Sequence, residues 1–341
     1  MGPCNITNLD DAYTFQSGSI GRDDAAQTMS RNPWLSARRG HGLVLGQVSV
    51  RGAGLVNTQF WVIQTFNGVS YGALLFLVGS GLSLIFGVMR IVNLSHGAYF
   101  LWGGYIALSV IWATGSWALS LPVAALAVAV LGLLMERVFL RPLGFDPLRQ
   151  VLLTVGFAYL FQQGALDIWG GNNMEINPPD ALTHSVVIGG VYFPLYRVFM
   201  IVMALAIGTS IWLVMEKTRM GAAVRATVDD AQMARGVGID TNRISMFVFA
   251  LGAFLAALGG VIGGAFLGVY PGLDFEILPL AFAVVIIGGM GSLGGAAIGA
   301  MLVGLADNFG KALFPELAYF TLYAPMVLIL AIKPTGLFGR E

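Results

Sequence analysis

Three groups of residues have a type or spacing from which chemistry could be read. GGMGSLGG (288–295) places Gly289, Gly291 and Gly294 in the order G-x-G-x-x-G, after the apolar AFAVVII and before AAIGAMLVGLAD. After a strand and opening a helix, that pattern cradles a pyrophosphate on backbone N–H groups. Local sequence therefore permits a dinucleotide-binding enzyme. RIVNLSHG (90–97) sets Asn93, Ser95, His96 and Gly97 between apolar runs. Asn and His at membrane depth are suspected of function by default, against the competing reading that they hydrogen-bond a neighbouring helix. Ser95 and Ser292 are weaker candidates, since hydroxyls bond back to their own helix. The third group, VDDAQMARGVGI (228–239), has Asp229 or Asp230 placed to N-cap a helix starting AQMA, with Gly236 or Gly238 to end it. Thiol and metal chemistry drop out. The one cysteine, Cys4, sits in a polar N-terminal stretch, and His41, His96 and His184 lie far apart with no H-E-x-x-H spacing.

The elements that must position these groups are set by composition. Of 341 residues, 57% are hydrophobic and 11% charged, where a soluble domain carries about 25% charge. Lys plus Arg and Asp plus Glu are equal at 18 each, and no basic patch with interleaved aromatics points to nucleic acid. A bilayer core of about 30 Å needs about 20 apolar helical residues. Basic residues gather at Arg137, Arg141 and Arg149, at Lys217, Arg219, Arg225, Arg235 and Arg243, and at Lys333 and Arg340. The positive-inside bias puts all three clusters, and the C-terminus, on the cytoplasmic side. The opposite loops carry Glu175, Asp180, Asp274 and Glu276.

Between the first two clusters lie two apolar runs, 151–169 and 194–215; between the second and third lie three, 244–268, 279–310 and 318–332. Both numbers must be even. The run 279–310 must therefore reverse direction, as two short crossings or a re-entrant hairpin, and GGMGSLGG alone has the backbone freedom for it. Irregular backbone at membrane depth is tolerated only where protein or a water-filled cavity satisfies it, so the break points to a pathway lining. RIVNLSHG is its counterpart in the front half, as expected of repeated halves with discontinuous helices. The expected fold is an all-α integral membrane protein, a polytopic bundle of about eight helices with broken or re-entrant segments and an internal pseudo-repeat. Residues 60–88 read equally as one long or two short elements. Gly259, Gly260, Gly263 and Gly264 read as close helix packing; Asp307 reads as a pathway acid or, near a helix end, more readily as interfacial.

Residues 1–55 are polar and lack the apolar region of a signal peptide. Their composition favours a disordered tail. An alternative is initiation at Val56 from a GUG codon, the preceding residues not being made. Residues 56–341 form the membrane domain, and the loop 216–244 is its longest cytoplasmic connection. A short amphipathic helix held there suits docking into a groove on a partner; an ordinary positive-inside loop is the bland alternative.

Four collinear stretches carry a resemblance: GLSLIFGVMRIVNLSHGAYFLWGGYIA, TRMGAAVRATVDDAQMARGVGIDTNRISMFVFALGAFLAALGGVI, AFAVVIIGGMGSLGGAAIGAMLVGLAD and KPTGLFGR. From about Asn57 to Arg340 the chain resembles the permease subunit of branched-chain amino acid ABC importers. The resemblance implies a multi-pass protein of the bacterial inner membrane with no catalytic residues, working with a second permease subunit, two cytoplasmic ATP-binding subunits and a periplasmic substrate-binding protein. It implies no cofactor bound by this chain, ATP being held by the partner ATPases. It places Arg225, Asp229, Asp230, Ala234, Arg235 and Gly238 at the ATPase-coupling segment. Asn93, Ser95, His96, Gly97, Gly289, Gly291, Ser292 and Gly294 fall at two breaks beside the translocation path. The chain departs from the family pattern at Ala231, where Pro is frequent, at Leu94-Ser95, where Phe-Ala is common, and in its long tail. A urea, short-amide or sugar ABC permease and an uncoupled channel or secondary transporter stay open as alternatives.

Overall fold

The computed structural model describes residues 52–339 apart from 145 and 189, so both readings of the tail, as disordered or untranslated over 1–51, fall outside the described residues. The chain is helical: α1 (Gly52–Met89), α2 (His96–Thr114), α3 (Trp117–Met135, prolonged by short turns to Leu143), α4 (Pro147–Trp169), α5 (Leu195–Lys217), α6 (Arg219–Asp229), α7 (Ala231–Gly236), α8 (Thr241–Leu267), α9 (Leu273–Gly288), α10 (Leu293–Leu313) and α11 (Ala318–Ile332). Seven of them are long and apolar enough to cross a membrane; α9 and α11 are shorter. The open choice over 60–88 resolves to one helix. Antiparallel strands β1 (Ser185–Ile188) and β2 (Val191–Pro194), which periodicity did not indicate, lead into α5.

Helix starts follow local chemistry. Asp146 accepts a hydrogen bond from Arg149 N–H ahead of Pro147, and Asp240 accepts from Asn242 and Arg243 N–H. Each satisfies first-turn donors that a helix leaves unpaired, and their negative charge suits the helix dipole. These starts lie beside Arg149 and Arg243, so they define a basic face. Arg90, in the left-handed region at φ 53°, ends α1 on the same face.

Around GGMGSLGG, Gly288 packs on the backbone of Gly295, and Gly299 on Val284 and Gly288. Contacts at 288 with 295 and 284 with 299 describe an antiparallel hairpin, so the run 279–310 does reverse. AFAVVII lies inside α9, not in a strand. The dinucleotide reading loses its structural context with that, because the fingerprint needs a strand feeding the glycine loop.

Burial sorts the helices. The apolar window of α1 is 89% buried and that of α8 72%, whereas those of α4 and α5 are 17% and 22%. Leu152, Leu160, Val202 and Leu205 project outward from α4 and α5, as lipid-facing residues do. At about 100° per residue, Gly68, Gly72 and Gly79 fall on one side of α1 and Gly81 on nearly the opposite side. The first two meet the backbone of α10, Gly79 meets Val284 of α9, and Gly81 meets Gly252 of α8. A Cβ on Gly260 would fall inside the Phe100 carbonyl of α2, as the small-residue reading of α8 expects.

Gly260→Val should therefore lower the thermal midpoint of the detergent-solubilised protein, overpacking costing about 1–3 kcal/mol. Gly156→Ala, where a Cβ meets nothing within 4 Å, should not. Equal midpoints for the two variants would contradict the packing.

Candidate translocation and coupling sites

The break between α1 and α2 is closed. Asn93, Ser95 and His96 are each 0% exposed. Asn93 Oδ1 accepts from Ser95 N–H at 3.1 Å and from Ser95 Oγ at 2.7 Å, which holds the segment that enters α2. His96 Nε2 lies 3.0 Å from the Val78 carbonyl; a carbonyl only accepts, so Nε2 carries the proton. Leu94 N–H reaches Thr154 Oγ1 of α4 at 3.3 Å, and Tyr99 Oη reaches Met135 Sδ of α3 at 2.9 Å. Gly97 admits the Asp274 backbone of α9. Asn93 Nδ2, His96 Nδ1 and Asp274 Oδ1 are buried without a hydrogen-bond partner among the described residues.

The other break is a turn on the basic face. Gly289 and Gly291 have φ of 99° and 79°, a region that costs an L side chain about 1–2 kcal/mol. Ser292 then caps α10 by accepting from Gly295 N–H at 3.0 Å. The turn rests on Gly87 at the end of α1 and on the C-terminal segment, where Leu337 and Phe338 N–H donate to Ile287 and Gly288 carbonyls at 2.9 and 3.0 Å. Gly294 faces open space. The two breaks thus differ, one an internal capping network and the other an end-turn.

The loop 216–244 holds two helices, α6 as well as the expected α7. Of the alternatives for the cap of α7, Asp230 is the one, accepting from Gln232 and Met233 N–H at 2.8 and 2.9 Å. Asp229 is the last residue of α6, the helix ends at Gly236, and Gly238 follows with φ 88°. Arg225 bonds the Met215 carbonyl and lies 3.7 Å from Glu216; Arg235 Nε donates to Thr241 Oγ1 at 2.8 Å. Ala234 is buried while Met233 and Val237, one turn apart, are 65% and 70% exposed. Val224 of α6 joins Leu84 and Val88 of α1, Ile211 and Met215 of α5, and Ile244 and Val248 of α8 in one apolar cluster. The cluster packs α6 against three long helices.

Residues 64–330 match the family described as branched-chain amino acid transport system / permease component. The chain belongs to this family. The high-affinity branched-chain amino acid transport system permease protein BraD of Pseudomonas aeruginosa is 30% identical over 294 residues, 81% of this chain and 95% of that protein. LivH of Escherichia coli, of the same description, is 30% identical over 299 residues, 82% of this chain and 96% of that protein. LivM of Escherichia coli is 28% identical over 288 residues, 76% and 67% respectively. No solved structure matches the chain.

The chain is thus a multi-pass membrane permease, a transport subunit and not an enzyme. Read as a branched-chain amino acid family permease, it has further polar residues at the end opposite the basic loops, of which sequence reasoning passed over Arg197 and Lys311. Asp307, expected at an interface, is 6% exposed and pairs with Lys311 Nζ at 2.7 Å. Arg197 hydrogen-bonds Asn67. The available signal was an isolated cation on the otherwise acidic face.

Asn93→Leu should cost about 1–3 kcal/mol, because Ser95 N–H and Oγ lose a buried acceptor; a melting curve of the purified protein checks this, and an unchanged midpoint would dismiss the capping role. Gly291→Leu should block transport while ATPase association persists, since the side chain strains the turn against Gly87. An unaffected transport rate sinks that assignment.

Proposed function

We propose that the chain is the membrane-spanning permease subunit of a binding-protein-dependent ABC importer that moves branched-chain amino acids across a bacterial inner membrane. The family match across 64–330 carries the reading. In this orientation the basic face is cytoplasmic, with the C-terminus, and the face of Glu175 and Glu276 is periplasmic. The permeases named LivH and LivM in one organism support pairing with a second permease. Two cytoplasmic ATPases and a periplasmic binding protein complete the machine.

ATP binding and hydrolysis move the ATPases, which hold α7 through Met233 and Val237, with Arg225, Asp229, Asp230, Ala234, Arg235 and Gly238 shaping that surface. The apolar cluster at Val224 passes the motion to α1, α5 and α8, and the path alternates between faces. Asn93, Ser95, His96 and Gly97, with Gly289, Gly291, Ser292 and Gly294, are the polar and glycine walls at the two breaks. In this reading the breaks are corresponding points of two related halves. At 16 residues α9 is about 24 Å long, short of the bilayer core of about 30 Å, which fits the first of two short crossings that meet at the 289–292 turn. The buried free donor of Asn93 supports a polar wall.

Proteoliposomes holding the full complex should accumulate leucine only with ATP and the binding protein. Met233→Asp should reduce both ATPase co-purification and uptake by about tenfold or more, burial of a lone carboxylate in an apolar contact costing over 1.4 kcal/mol. Uptake that persists without the ATPases would replace this reading with a channel or secondary transporter.

A further inference from the structure

A cavity of about 210 Å³ opens at the end of the bundle opposite the basic loops, lined by Asn67 and Tyr71 of α1, Arg197 of α5, Phe266 and Leu267 of α8, and Asp307, Asn308 and Lys311 of α10. One water needs only about 10–15 Å³. Its cations are out of place for this face of the protein. Among the described residues, Arg197 and Lys311 are the only Lys or Arg on the acidic face, from which the positive-inside bias depletes cations. Both line this one cavity. Arg197 also sits in the first turn of α5, where the helix dipole repels a cation.

Arg197 is half-buried, and among the described residues no carboxylate pairs with it. Its partners are the Asn67 amide oxygen and the Phe266 ring, whose centroid is 4.8 Å from Cζ. A guanidinium has five donors in a planar fork, so most remain for an anion. Lys311 is committed to Asp307, and Asn308 is held by Gln64, its amide donating to the Gln64 carbonyl at 2.8 Å. The lining therefore has one uncommitted cationic fork, one buried carboxylate with a second oxygen free of the ion pair, and an apolar wall of Phe266 and Leu267.

We infer that this cavity is a receiving site for a zwitterionic α-amino acid with an aliphatic side chain, the carboxylate on the Arg197 fork, the ammonium at Asp307 and the side chain against Phe266 and Leu267. A fork-to-carboxylate pair is bidentate and directional, which orients the solute as it enters. The inference rests on the proposed reading of the chain as an amino acid importer, and it places solute selection in the permease as well as in the binding protein. An inorganic anion would need only the fork and would leave the free oxygen of Asp307 unused, whereas the ammonium of a zwitterion takes it.

The test uses the complete permease–ATPase complex in detergent without binding protein, probed with L-leucine by saturation-transfer NMR, alongside proteoliposome uptake with binding protein present. Wild type should give a leucine methyl signal that 4-methylpentanoate and leucinol, each lacking one charged group, displace poorly. Arg197→Gln should weaken leucine binding by about tenfold to a hundredfold, the loss of a charged hydrogen-bonding pair, with Arg197→Lys intermediate and basal ATP hydrolysis retained as the sign of an assembled complex. Asp307→Asn should remove the preference for leucine over 4-methylpentanoate. Wild-type uptake of leucine together with an Arg197→Gln signal equal to wild type would overturn the receiving site and leave the importer reading standing. Absence of ATP-dependent leucine uptake by wild type would overturn the importer reading itself.

Discussion

A central helix whose apolar window is 89% buried among its neighbours is the constraint on which the rest of this molecule depends. Between lipid tails and apolar side chains there is no hydrophobic gain to drive helices together, so close packing must do it. In α1, glycines on opposite sides let α10 and α8 approach to backbone contact at Gly72 and Gly81, and admit the Val284 side chain of α9 at Gly79. The approach brings Gly87 onto the 289–292 turn and sets the level at which the hairpin of α9 and α10 reverses. It also leaves α2 to start inside the bundle, where His96 meets the Val78 carbonyl of α1 at 3.0 Å.

Buried irregular backbone then has to be satisfied locally, and the two breaks do so differently. At the α1–α2 junction a single Asn oxygen serves two Ser95 donors. At the α9–α10 junction two left-handed glycines turn the chain, Ser292 caps the new helix, and the C-terminal segment covers the end of α9. At the first break Asn93 Nδ2 and His96 Nδ1 are left without a hydrogen-bond partner among the described residues.

The same three helices contribute residues at both ends of the bundle. On the basic face α1, α5 and α8 share the apolar cluster that seats α6. At their other ends they contribute Asn67, Arg197 and Phe266 to the charged cavity. In the proposed mechanism these three helices are the elements that touch both the loop helices and the cavity.

Sequence alone determined the membrane class and the reversal near GGMGSLGG, because charge burial in lipid is costly enough to be read residue by residue. It located the short helix of the basic loop through its Asp cap and terminal glycines, since capping is a local interaction. It did not resolve whether 60–88 was one helix or two, miss being unavoidable where an all-round apolar run carries no face to read. It left open whether Asn93 and His96 lined a path or bonded neighbours, and it passed over Arg197 and Lys311. Those decisions belong to tertiary structure: residues 130 positions apart, such as Arg197 and Asn67, become partners only when separate helices are packed, and no local pattern encodes which faces will meet.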